Sequence, residues 1–173
     1  DEMNFKNTYR GQGKVRIDGK KVLLDKGVSQ VLSGGEFKFK ITRVNDEKGS
    51  LYKGEILDWI EKETVKNDQN GQFKFNISYK DLDFSKKDSY TFYYQIDEEN
   101  SGLTKDGVTY NKNNDAYIIE VTVSDQQDGN YDVSYRIIDH DEIIFTNEYN
   151  ASGETQIIGT KSLKGKKLVD DEF

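Results

Sequence analysis

Three polar residues stand where the surrounding pattern expects apolar ones. Lys21 shares a period-two register with Val15, Ile17 and Leu23. Glu98 shares one with Phe92, Tyr94 and Ile96, and Asn147 lies between Phe145 and Tyr149 in the same alternation. Residues two apart on a strand share a face, so each of the three is aimed at an aromatic interior. A lone buried Lys, Glu or Asn is costly, and three in one segment predict that they meet. Burial disfavours charge, which draws Lys21 towards the neutral amine and Glu98 towards the protonated acid. A neutral amine is a nucleophile. A protonated carboxyl can hydrogen-bond the Asn147 carbonyl, polarise it, and pass a proton to departing ammonia. Attack of Lys21 Nζ on Asn147 Cγ leaves an amide between two side chains. It happens once per molecule, so it is self-modification and not turnover.

Each residue also has an ordinary reading. Lys21 follows Lys20, and a slip of one residue would put Lys21 in solvent. Glu98 opens the acidic run Asp97-Glu98-Glu99, which suits a solvated strand end. Asn147 suits a turn or a strand edge.

The elements that would position these groups are strands. Val15 to Leu23 alternate, as do Phe37, Phe39 and Ile41 after Gly34-Gly35. Further period-two sets are Phe73, Phe75 and Ile77; Phe92 to Glu98; Tyr117, Ile119, Val121 and Val123; Tyr131 to Ile137; and Phe145 to Tyr149. Asn70-Gly71 and Asp128-Gly129 read as hairpin turns. Residues 51–66 fit either a short helix or a broad strand, with strand preferred, and Trp59 within them is expected in the core. About seven or more strands separated by turns predict an all-β sandwich.

The opening of the chain recurs near its end. Shifted by 140, residues 1–23 fall on residues 141–163 without a gap, with 10 identities in 23 positions. A fixed period of domain size predicts a tandem array. On this reading residues 1–10 are the last strand of one repeat, 11–150 a complete domain, and 151–173 a linker and the first strand of a third. Arg10–Lys14 and Asn150–Glu154 read as linkers. Asn7 matches Asn147 and Lys161 matches Lys21, so each is half of a site whose partners lie in neighbouring repeats.

Composition narrows the function classes. A net charge of −7, spread along the chain, disfavours nucleic acid and anionic membranes as partners. No apolar run approaches the ~18 residues of a membrane span. The chain has no Cys and no Pro, which excludes disulfides, thiol chemistry and Cys-ligated metals here. His140 is the only histidine and reads as an exposed loop residue rather than a metal ligand. The acidic stretch Ser124–Asp132 lacks the spacing of a calcium loop and reads as a hairpin. No metal and no cofactor are expected.

The stretches GKKVLL (19–24), SGGEFKFKI (33–41), NDQNGQFKFNISY (67–79), YTFYYQIDEE (90–99), GVTYNKNNDAYIIEVTVSDQQDGNY (107–131) and FTNEY (145–149) occur in this order. The ordered set resembles the Gram-positive, streptococcal-type pilin isopeptide-linkage domain family, a group of collagen-adhesin B-type immunoglobulin-like domains. The resemblance places the family's reactive Lys on Lys21, its catalytic acid on Glu98 and its Asn on Asn147. Asp25 stands where the family usually has Gly, as Gly165 follows Lys161. Alternation and the match to Lys161 favour Lys21 over Lys20. The resemblance implies an extracellular protein anchored to the cell wall by a segment outside this one. Its implied role is a stalk or pilus shaft, with neighbouring repeats, other pilin subunits or a host ligand as partners. A ligand-binding adhesin domain is the alternative and needs an exposed aromatic patch, with Trp59 and the loop Asn100–Asn114 as candidates. A hydrolase would need Glu98 in an open cleft.

Overall fold

The computed structural model describes residues 10–110 and 116–150. Among them twelve strands run in chain order: β1 (Gln12–Asp25), β2 (Val28–Ser29), β3 (Lys38–Val44), β4 (Asp58–Ile60), β5 (Thr64–Lys66), β6 (Gln72–Lys80), β7 (Ser89–Glu98), β8 (Thr104–Lys105), β9 (Val108–Thr109), β10 (Tyr117–Asp125), β11 (Tyr131–Ile137) and β12 (Ile144–Tyr149). A single 3₁₀ turn at Phe84–Lys86 interrupts them. One sheet has the order β4-β6-β1-β12-β9-β8, with β2 added to β1; the other has β11-β10-β7-β3-β5. The chain is therefore an all-β sandwich, as the alternation requires.

Period-two patterning sets the register. Val15 pairs with Ile77, Ile17 with Phe75 and Gly19 with Phe73 across β1 and β6, so each inward residue meets an inward partner. The facing sheet supplies Phe39, Ile41, Phe92, Tyr94, Ile96, Ile119, Val121 and Val123 to the same core. Phe39 stacks on Phe73 with ring centroids 3.8 Å apart. Gly19 has room for no side chain, because a Cβ there would overlap the Phe73 ring. At the other end of the core, the Tyr79 and Tyr94 hydroxyls lie 2.9 Å apart, and the Tyr94 hydroxyl donates to Asp58 at 2.8 Å. Arg43 lies over the Phe92 and Tyr52 rings.

The first and last strands are neighbours. β1 and β12 pair in parallel, with Lys21 opposite Phe145 and Leu23 opposite Asn147. Parallel strands cannot be joined by a hairpin. Here nearly the whole sandwich serves as the crossover between them.

Several local expectations are corrected. Asn70-Gly71 does not turn a hairpin. It lies where the chain crosses from β5 in one sheet to β6 in the other, in a turn closed by Asp68, whose carboxylate accepts from the Asn70 and Gln72 amides at 2.8 Å. Residues 51–66 hold only the short strands β4 and β5. Trp59 is not in the core but 62% exposed, because β4 sets it opposite Ser78 on the outer face of β6. Most of Arg10–Lys14 is strand, since β1 begins at Gln12. Gly11 and Gly13 are packing residues there, set against Tyr131 and Val133. Asp128-Gly129 does turn the β10–β11 hairpin.

The Gly19–Phe73 contact yields the first prediction. Gly19→Val should lose about 1–3 kcal/mol, because the Phe73 ring must leave its stack on Phe39. Urea unfolding in an Asn147→Ala background, where no cross-link can form, measures it. Equal stability would show that the ring has another place to go.

Candidate functional site

Lys21, Glu98 and Asn147 come together between the sheets, with 2%, 4% and 0% of their surfaces exposed. The alternation of β1 turns Lys20 outward and Lys21 inward, so Lys21 is the one that meets Glu98. β12 supplies Asn147 two positions past Phe145, on the same inner face and one step along from Lys21. Glu98 is the last residue of β7 and reaches in from the facing sheet, opposite Phe39 of β3.

The three groups converge on one atom. Lys21 Nζ lies 2.7 Å from Glu98 Oε1, and Asn147 Nδ2 donates to the same oxygen at 3.0 Å. Sequence reasoning expected the carboxyl to hydrogen-bond the Asn147 carbonyl. The structure shows the Glu98 carboxyl against the Asn147 amide nitrogen, the group that would leave in an attack on Cγ. The ring of Phe37 lies under Lys21 Nζ, with its centroid 4.5 Å away. Burial lowers the Lys21 pKa to about 8, although the charge and hydrogen bond of Glu98 act in the opposite direction. The amine can therefore shed its proton near neutral pH, with a carboxyl oxygen in contact to receive it.

The surrounding backbone holds these groups in place. The Lys21 amide donates to the Gly71 carbonyl at 2.7 Å, and the Lys20 amide to the Ile143 carbonyl at 2.8 Å. Gly71 has φ +78°, and a Cβ there would overlap the Lys21 carbonyl. The Tyr117 hydroxyl donates to the Ile144 carbonyl at 2.8 Å and accepts from the Ile144 amide at 3.1 Å, which fixes the start of β12. A fourth buried polar residue, Asn67, sits at the end of β5. It lies in no alternating run, so period-two patterning carries no signal for it.

Other candidates fall away from this centre. Asn7 and Lys161 lie outside the described residues. His140 is exposed and packs edge-on against Tyr117, with centroids 4.9 Å apart. In the Ser124–Asp132 hairpin, Asp125 and Asp128 accept from the Gln127 and Asn130 amides, so these carboxylates cap the turn. Among the described residues there is no group of three or more His, Cys, Asp or Glu suited to a metal ion. Nor is any helix there long and apolar enough to cross a membrane.

Comparison with known families decides the wider assignment. Residues 17–150 match the model of the FctA family, described as a Spy0128-like isopeptide containing domain. The chain belongs to the FctA family. The match takes in Lys21, Glu98 and Asn147, and it runs from β1 to the end of β12. The family is one of pilus and surface-protein domains with isopeptide bonds, structural rather than enzymatic. No curated protein matches the chain.

A pH test follows from the buried amine. Asn147→Ala keeps Lys21 and Glu98 but removes the acyl group, so the amine stays titratable. From about pH 8 to 10.5 the unfolded chain binds a Lys21 proton that the folded chain lacks. Stability must rise with pH through that window, and the penalty is complete below it. Burial raises Tyr79 and Tyr94, so ionisation of the unfolded chain opposes the trend above about pH 10. Asn147→Ala should therefore melt higher near pH 9 than near pH 7, and adding Lys21→Met should remove the gain. An equal pH response in both variants would show that Lys21 is not the group responsible.

Proposed function

We propose that residues 11–150 form a mechanical stalk domain closed by an isopeptide bond between Lys21 and Asn147, with Glu98 as the proton carrier. The observation that supports this reading best is the single oxygen, Glu98 Oε1, that touches both the attacking and the departing nitrogen. The Lys21 ammonium passes a proton to Glu98. The neutral Nζ attacks Asn147 Cγ and a tetrahedral intermediate forms. Glu98 then protonates Nδ2, the Cγ–Nδ2 bond breaks, and ammonia leaves. Nζ gives up a second proton, which stays on Glu98 or follows the ammonia as ammonium. The Nζ–Cγ amide remains. Nothing is oxidised or reduced, and no other molecule is needed.

The bond sits where a stalk needs it. β1 begins at Gln12 and β12 ends at Tyr149, and the two strands are parallel, so a pull on the ends shears their shared ladder. A Lys21–Asn147 bond carries the force from β1 directly into β12. The 125 residues from 22 to 146 are then bypassed. The closed loop also restricts the unfolded chain, which stabilises the fold by about 5 kcal/mol on the loop-entropy model. The 140-residue period supports an array of such domains on an exported, wall-anchored protein, with neighbouring repeats or other pilin subunits as partners and Asn7 and Lys161 as half-sites of the flanking repeats.

A ligand-binding adhesin domain is the second reading, and Trp59 favours it. Trp59 is exposed beside Ile56, itself 67% exposed, and both line a shallow groove with Leu57, Ser78 and Lys80. The hydrolase reading has no support, because the side chain of Glu98 is fully buried.

Force spectroscopy separates the stalk from an ordinary sandwich. Pulled by its ends, the wild-type domain should not release residues 22–146. Glu98→Ala should release them, adding on the order of 40 nm at ~3.5 Å per residue. The full extension in wild type would overturn the proposal.

A further inference from the structure

Asn67 is one of four buried polar residues among the described residues, 3% exposed, and the only one outside the Lys21 triad. Burying a carboxamide is unfavourable unless its polar atoms are used. Here they tie two loops together. Asn67 Oδ1 accepts from the Phe37 amide at 2.8 Å, and Nδ2 donates to the Asp68 carbonyl at 2.9 Å. The Asn67 backbone adds bonds to Gly35 and Phe37.

Both loops end on Lys21. Through Phe37, Asn67 fixes the aromatic ring that lies under Lys21 Nζ. Through Asp68, it fixes the sheet-crossing turn, whose Gly71 carbonyl accepts from the Lys21 amide. One side chain thus holds the apolar cover of the nucleophile and the backbone anchor of the strand that carries it. We propose that Asn67 is a positioning residue for the Lys21 site, keeping Phe37 and Gly71 against Lys21 so that water stays away from Nζ. This rests on the isopeptide reading above.

The dryness of the pocket is what lowers the Lys21 pKa. If the Asn67 side chain is lost, Phe37 keeps only its backbone bond to residue 67, its ring is held less firmly, and water reaches Nζ more readily. The amine then returns towards ordinary lysine behaviour, and less of it is neutral at a given pH. A shift of one unit means a tenfold smaller neutral fraction below the pKa.

The test follows cross-linking in time. Chain recovered unfolded and unreacted is refolded at a series of pH values, and loss of ammonia is read by intact mass. Asn67→Ala should react about tenfold more slowly near pH 7, and its rate–pH curve should move about one unit to higher pH. Phe37→Ala, which removes the ring under Nζ but leaves the Asn67 bond to its backbone amide, should shift the curve in the same direction and answers for Asn67→Ala if that variant does not fold. Leu82→Ala, a core truncation in another part of the sandwich, should lower the melting temperature and leave the curve in place. If the Asn67→Ala curve coincides with wild type, or if that variant does not fold and the Phe37→Ala curve coincides with wild type, Asn67 does not position the site. If wild type itself keeps its full sequence mass, the isopeptide reading fails, and this inference with it.

Discussion

The structure is organised around the cost of taking Lys21 and Glu98 out of water. An ammonium and a carboxylate buried together recover much of their desolvation only when their geometry is good, and removing either partner strands a charge. Here the geometry is good: a 2.7 Å contact inside a shell of Phe37, Phe39 and Phe145. It still leaves the amine with a lowered pKa, so the charged pair is not fully compensated. The proposed reaction removes that burden. It replaces a buried ion pair with a neutral amide and a carboxyl that can hold its proton. On this proposal, the same burial that makes the site unfavourable as an ion pair is what favours the neutral, nucleophilic amine.

The arrangement also suits the proposed bond between the first and last strands. β1 and β12 pair in parallel, so the chain between them must cross over rather than turn a hairpin, and here it builds the rest of the sandwich on the way. Their parallel register sets Lys21 and Asn147 one step apart on the inner face, within reach of a residue from the other sheet. Glu98 meets this need because β7 ends there, paired to β3 through Phe39. A residue two places earlier on β7, Ile96, faces Tyr117 and Ile41 deep in the core. The Glu98 carboxyl thus lies where the aromatic packing reaches the end of β7.

Much of this was legible in the sequence because β1, β7 and β12 are long and regular enough for period two to hold. Lys21, Glu98 and Asn147 stood out as polar residues in apolar register, and nothing in β1 breaks the alternation between Ile17 and Leu23. What escaped notice lies in short or irregular segments. Trp59 sits in a three-residue strand, too short to carry a period, and its size suggested burial where the pairing with Ser78 turns it outward. Asn70-Gly71 has the chemistry of a hairpin turn, but nothing local says that the strands on either side belong to different sheets. Asn67 follows β5, and its importance comes from Phe37, thirty residues away in the chain.

The most direct measurement is a proteolytic digest of the wild-type protein read by tandem mass spectrometry. The account predicts a branched peptide in which the segment carrying Lys21 is joined to the segment carrying Asn147, lighter than the two together by one ammonia. In Glu98→Ala the same two segments should appear separately. Separate, unmodified Lys21 and Asn147 peptides from the folded wild type would contradict the account.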